Sequence, residues 1–341
     1  MKGLWKEQVV VRDYRSLLNA KETQKAIQKA GTFFENRLAS ELNLTQVTAP
    51  LFLRSGTGVN DNLNGEERPV TFTARALPDL ELEIVHSLAK WKRTALAYYG
   101  FDRGEGIFTR MNAIRRDEEL DPLHSLYVDQ WDWERVIGKE ERNEETLKSI
   151  VRTIYGAIRA AEQHLYESYP QIAPILPETI AFVTSQELED AYPSLSASER
   201  ESEIAEKYGA VFVMQIGGRL RSGIPHDGRS PDYDDWTLNG DMILWNPVIG
   251  QAFEVSSMGI RVDEAALVRQ LELASCEERG ELDFHRALLE GRLPYSVGGG
   301  IGQSRLFMFL LRKAHIAEVQ TSVWPETAEE PFSRANVHFL R

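Results

Sequence analysis

Residues 110–134 read RMNAIRRDEELDPLHSLYVDQWDWE. Two β-favouring runs flank a polar, Asp/Glu-rich middle that contains a proline, a pattern that predicts strands over 107–115 and 125–134 joined by a loop. Arg115 closes the first strand, His124 sits in the loop, and the second strand ends in an acidic pair, Asp132 and Glu134. Side chains alternate across a strand, so Gln130 and Asp132 share one face and Asp129, Trp131 and Trp133 take the other. Read blandly, the acidic pair is a solvated strand end.

Working outward, a helix is expected over 21–43, where Ile27, Phe34, Leu38 and Leu42 form an apolar stripe at helical spacing. LTQVTAPLFLRSG (44–56) reads as one strand running into Pro50 and a turn, and LEIVH (82–86) as a short strand. A helix follows that ends at Gly100, and a long one covers 141–168. Strand 179–183 leads to two capping boxes, Thr184–Glu187 and Ser196–Glu199, each opening a helix, and then to strand 210–216. Residues 221–241 read as a long loop rich in Gly, Pro and Asp, and such loops are usually functional. Strands near 242–247 and 251–256 and helices near 263–276 and 281–290 complete the middle of the chain. Adjacent strands with helical insertions predict an α+β fold with a largely antiparallel sheet flanked by helices. No linker-like break divides residues 1–341, which reads as one domain.

Near the C-terminus, SVGGGIGQSRLFMFLLRK (296–313) has the look of a phosphate loop. A dinucleotide fingerprint needs a following β-α-β unit and a downstream acid, and a triphosphatase loop needs Gly-Lys-Ser/Thr; this stretch has neither. It reads instead as a strand stripped of side chains that feeds a helix, with Arg305 one turn in and able to point its fork at a phosphate. The bland alternative is close strand–helix packing.

The 341 residues include 52 acidic and 39 basic ones, for a net charge of −13. A protein that grips a nucleic-acid backbone usually carries a basic surplus, so the balance favours a small-molecule substrate. The longest apolar run, 306–311, is too short to span a bilayer, and the first residues show no export signal. A lone cysteine, Cys276, excludes an internal disulfide, fits a reducing cytoplasm and reads as an inert thiol.

Taken together, 107–134 resembles motif 2 of the class II aminoacyl-tRNA synthetases, 296–313 resembles motif 3, and FFENRLASELNLTQVTAP (33–50) resembles the dimer-forming motif 1. HSLAKWK (86–92) and FEVSSMGIR (253–261) resemble amino-acid-site segments of the aspartyl-tRNA synthetases, but motif 1 begins too early to leave room for an anticodon-binding barrel. The set DNLNGEE, HSLAKWKR, VDQWDWE, PDYDDW, LNGD, SSMGIR and GGGIGQSRL resembles the ammonia-dependent asparagine synthetases, the A-type aspartate–ammonia ligases, over roughly residues 20–325. One departure is visible: members of that family can carry a longer insertion between DYDDW and LNGD, where here only TL intervenes.

The resemblance implies a class II synthetase-like catalytic domain that joins L-aspartate to ammonia through a β-aspartyl-adenylate, with ATP consumed to AMP and pyrophosphate. Lys92 and Arg261 would hold the α-carboxylate of aspartate. Asp61, Gln130 and Asp132 would take its α-ammonium, with Ser87, Asp234 and Ser257 nearby. Arg115 would stabilise the α-phosphate in the transition state, Arg305 the departing pyrophosphate, and His124 the outer phosphates. Mg²⁺ would sit on Asp241 and Glu254, with Asp234 and Asp235 as the second choice. Gly300, Gly302 and the tryptophans would form the adenosine slot. Asp61 or Asp234 would take a proton from ammonium. No nucleophile for glutamine hydrolysis is evident, so free ammonia is the implied donor. A homodimer without tRNA or membrane is the implied assembly.

Overall fold

A computed structural model describes residues 14–61, 67–325, 332 and 336–341. Most of DNLNGEE and most of the tail after 325 therefore lie outside the described residues. The chain opens with α1 (Ala20–Leu42), whose start is a capping box between Asn19 and Glu22 and whose end is Asn43 in the left-handed region, φ 54°. β1 (Leu44–Gln46) and β2 (Phe52–Arg54) follow, then β3 (Thr71–Ala74) and β4 (Leu77–Ile84). α2 (Ala89–Tyr99) ends on Gly100 at φ 71°, as its sequence predicts. β5 (Gly106–Ile114) and β6 (Tyr127–Val136) match the two strands read from 110–134, and α3 (Glu144–Ser168) starts at an Asn143 cap. β7 (Ala181–Thr184), α4 (Ser185–Ala191), α5 (Ala197–Tyr208) and β8 (Ala210–Met214) come next, with both capping boxes formed. β9 (Asp234–Asn246), β10 (Gln251–Arg261), α6 (Glu264–Leu273), α7 (Asp283–Leu289), β11 (Ser296–Gly302) and α8 (Gln303–Leu310) complete the order.

Eight strands form one sheet in the order β1-β5-β6-β11-β10-β9-β8-β7; only the outer pairs β1/β5 and β7/β8 are parallel. This is the largely antiparallel sheet that the sequence predicts. One face carries Trp131, Trp133, Phe212, Met258 and Ile301, packed with Phe34 and Leu38 of α1 and Ile154 and Ile158 of α3 in the main core. The opposite face is divided. Toward β8 it is covered by Leu188 of α4 and Ile204 of α5, packed on Val211, Val213 and Ile243. Toward β6 and β11 it carries polar side chains under α2. The two faces of β6 fall as the alternation of 129–133 requires.

Three sequence expectations change. The strand expected to run into Pro50 stops at Gln46, and where a turn was expected after Pro50 the chain forms a second strand; β1 stays in the large sheet and β2 pairs with β4 in a separate three-stranded sheet, β2-β4-β3. β3 was not anticipated, since its side chains are mostly exposed and give no apolar alternation. The loop expected over 221–241 ends at residue 233. DDWTLNGD is already the start of β9, so the short TL connection is strand interior and needs no loop closure.

Candidate active site

On the polar face a cavity of about 460 Å³ opens between β6, β11, β10, α2 and the segment before β9. Every site residue read from the sequence lines it except Asp241, and the second-choice Asp235 is also absent from its wall. Asp235 turns the other way and pairs with Arg142 at 3.0 Å.

The floor of one end is ionic. Lys92 Nζ contacts the Asp132 carboxylate and donates to the Gly299 carbonyl at 2.9 Å. Arg261 lays its fork on Glu134, with Nε to Oε1 at 2.9 Å and Nη2 to Oε2 at 2.7 Å, and its Nη1 reaches Asp234. Ser296 Oγ completes Glu134 at 2.7 Å. Glu134 is fully buried, so the solvated strand end is excluded for it. Burial pushes its carboxyl up, but Arg261 and Lys92 outweigh burial and hold it below its ordinary value. For Asp234 burial wins, and its carboxyl is raised despite Arg261. Burial likewise lowers the Lys92 ammonium against the pull of Asp132.

The glycines of β11 serve this cluster. A Cβ on Gly298 would fall on the Glu134 carboxylate and lie 2.6 Å from Arg261 Nη2, and one on Gly300 would lie 2.5 Å from Gln130 Oε1. Clearance for these side chains is one use of the β11 glycines, while Gly299, Gly300 and Gly302 also line the cavity. Of the tryptophans expected against adenosine, Trp131 and Trp133 are buried in the core on the other face. Gly298→Ala should force the ion pair apart at an overpacking cost of about 1–3 kcal/mol. Urea unfolding checks this, and an unchanged midpoint would refute it.

The other end of the cavity is lined by arginines. Arg115, just past β5, is 3.8 Å from Glu118, and its buried Nε has no hydrogen-bond partner among the described residues. Arg305, in the first turn of α8, reaches the Glu254 carbonyl at 3.1 Å and its carboxylate at 3.4 Å. Ser304 donates to Asp129 and fixes the start of that helix. His124 Nδ1 lies 2.8 Å from Asp121. Sequence reasoning missed Arg229, which comes in from the 221–233 loop, pairs with Asp241 and faces the cavity. Tyr233 and His86 were missed as well. The loop's composition marks it as functional, but no spacing in it singles out one arginine.

The sequence model of the aspartate-ammonia ligase family matches residues 21–336. This chain belongs to that family. An aspartate–ammonia ligase of Clostridium perfringens is 59% identical over 331 residues, covering 97% of this chain and 98% of the relative. One of Bacillus cytotoxicus is 57% identical over 327 residues, covering 96% of this chain and 100% of the relative. Among solved structures, asparaginyl-tRNA synthetase from Pyrococcus horikoshii complexed with asparaginyl-adenylate superposes with a TM-score of 0.64 at 12% identity, over 88% of this chain and 68% of that one. Aspartyl-tRNA synthetase from Entamoeba histolytica gives 0.57 at 14% identity, over 87% and 57%. The ligase family chain therefore has the class II synthetase fold, and the α+β expectation holds. Among the described residues no helix is long and apolar enough to cross a membrane.

Of the two residues expected to hold a metal in this ligase-family chain, Glu254 lines the cavity and Asp241 sits behind its wall, paired with Arg229. Asp241 Oδ1 is buried with no hydrogen-bond partner among the described residues while Arg229 takes the other oxygen, and burial raises the Asp241 carboxyl, with Glu254 adding to the rise. Two such oxygen donors suit Mg²⁺, which needs only one or two carboxylates when phosphates and waters supply the rest. Among the described residues no cluster of three His, Cys, Asp or Glu forms a cage, so the donor set fits a metal shared with a phosphate rather than one held by protein alone.

Proposed function

We propose that this chain makes L-asparagine from L-aspartate, ammonia and ATP through a β-aspartyl-adenylate, releasing AMP and pyrophosphate. The observation that carries this reading is one cavity with two chemically different ends. Lys92, Arg261 and the carboxylates of Asp61, Asp132, Glu134 and Asp234 gather at one, and Arg115, Arg229 and Arg305 at the other. Buried polar atoms with no hydrogen-bond partner among the described residues sit at both: Asp132 Oδ2 at the first, Arg115 Nε and Arg229 Nε at the second. Unsatisfied buried groups converging on a cavity point to a ligand that satisfies them.

At the first end carboxylates outnumber the two cations. That excess suits the α-ammonium of aspartate, taken by Asp61, Gln130 and Asp132 with Ser87, while Lys92 and Arg261 hold the α-carboxylate beside Ser257. With both α-groups held, only the β-carboxylate faces ATP. One of its oxygens attacks the α-phosphorus, and pyrophosphate leaves with the bonding pair. Arg115 stabilises the charge that gathers on the α-phosphate, and Arg305, with Arg229 and His124, holds the departing end. Mg²⁺ on Asp241 and Glu254 would screen the triphosphate. Ammonia then attacks the β-carbonyl carbon, AMP leaves with its oxygen, and a proton passes from the attacking nitrogen to a carboxylate. Asp234, whose carboxyl is raised by burial, is suited to take it, and Asp61 is the alternative. Gly300 and Gly302 present backbone to the nucleotide. The motif 1 segment at α1 and β1 supports a homodimer, which places the active species at twice the chain mass in sedimentation.

Two measurements test the reading together. ATP–pyrophosphate exchange should require aspartate, and free asparagine should form only when ammonium is added. The competing reading is transfer of the same adenylate to tRNA. Charged tRNA, in place of free asparagine, would establish that reading and remove this one.

A further inference from the structure

Behind the cavity wall lies a second polar cluster that contributes no lining carboxylate. Asp232 is fully buried and accepts from four donors. Its Oδ1 takes Ser230 Oγ at 2.8 Å; its Oδ2 takes Lys90 Nζ at 3.1 Å, His285 Nε2 at 2.9 Å and Arg279 Nη1 at 3.5 Å. Lys90 is two residues before Lys92 on α2, and His285 is on α7. The His285 ring also abuts the 55–61 segment that carries Asp61: a Cβ on Gly58 would lie 3.4 Å from His285 Cε1 and 2.8 Å from Leu282. On either side of Asp232 in sequence, Arg229, Tyr233 and Asp234 face the cavity. Gln270 Nε2 pins the same segment from behind, donating to the Pro231 and Asp234 carbonyls at 2.9 Å each.

A buried ion cluster is weak as a source of stability, because well-packed apolar side chains often do as well. This one joins three separate pieces of the cavity wall at one carboxylate. We propose that Asp232 is a positioning residue, which through Lys90, His285 and Ser230 sets Arg229, Tyr233 and Asp234 in register with Lys92 and Asp61. It acts through these partners and touches no substrate itself. The inference rests on the ligase reading of the cavity, since its main readout is turnover.

The test uses Asp232→Asn and His285→Gln in the full chain. Asp232→Asn keeps the size of the side chain and removes the charge that gathers the donors. A misplacement of about 1 Å in positioned groups can cost on the order of 100-fold, so kcat for asparagine formation should fall by about that factor with KM for ATP within about threefold. Hydrogen–deuterium exchange of amides 229–236 should quicken in the same variant. His285→Gln, which can still offer a donor, should keep kcat within about tenfold of the parent. A folded Asp232→Asn enzyme with kcat within threefold of the parent overturns the proposal, as does a large loss of kcat with unchanged amide exchange at 229–236. If Asp232→Asn does not fold, Lys90→Met is judged on the same two readouts. A parent without aspartate-dependent ATP–pyrophosphate exchange sinks the ligase reading alone, and the amide exchange still decides whether Asp232 holds the segment.

Discussion

Replacing Arg261 by methionine is expected to lower folding stability by about 3–5 kcal/mol, the range seen when one partner of a buried ion pair is removed. Arg261, Glu134 and Asp234 are all shielded from water, and the guanidinium satisfies both carboxylates at once. Without it, Glu134 keeps Ser296 and a lysine nitrogen 4.0 Å away, while Asp234 loses its ion-pair partner. The substitution keeps much of the volume, so the loss reports charge rather than a cavity. Denaturant unfolding measures it. The double variant Arg261→Met/Glu134→Gln should recover part of the loss, because it removes one of the two stranded charges. A single-variant loss below about 1 kcal/mol would mean that water or Lys92 compensates the carboxylates, contrary to the burial of this cluster.

Arg115→Ala should be nearly silent in stability and severe in chemistry. Its side chain is partly exposed and its contact with Glu118 is long, 3.8 Å, so little folding energy is stored there. A preorganised donor aimed at developing charge is worth about 10²–10³ in rate, and ATP–pyrophosphate exchange should fall by that factor. If Arg115 acts in the transition state, kcat and kcat/KM should fall together. A rise in KM for ATP with kcat intact would instead make it a ground-state phosphate anchor and remove it from the chemical step. Set beside Arg261→Met, the pair separates two uses of arginine: one holds the site together, the other acts on the reacting phosphate.

Much of the fold was legible because local chemistry and tertiary structure agree. The capping boxes at Thr184 and Ser196, the Gly100 stop and the alternation along 129–134 all depend on neighbours within a few residues. Legibility failed where a signal was weak or its reason lay elsewhere in space. β3 is exposed and carries no apolar period. The break at Pro50 sends the chain to another sheet, and nothing in the preceding residues states that destination. Arg229 is one arginine in a loop, and only the return of that loop beside β10 brings it to the cavity. An expectation that tryptophans face adenosine does not separate one tryptophan from another, and strand parity sends Trp131 and Trp133 of β6 into the core.

By itself, the sequence determined which side chains share a face, where helices start and stop, and that acids, bases and glycines recur in a class II order. The first two follow from backbone periodicity and short-range hydrogen bonding, which are written in adjacent residues, and the third is a resemblance in motif order. Tertiary structure alone decided the pairings: Arg261 with both Glu134 and Asp234, Lys92 with Asp132, and Asp232 with Lys90 and His285. It also gave the β11 glycines their purpose, as clearance for neighbouring carboxylate and amide groups. Charges distant in sequence meet only when the sheet orders its strands, and burial then makes each meeting obligatory, because an unpaired ion in that interior is far more costly than a paired one.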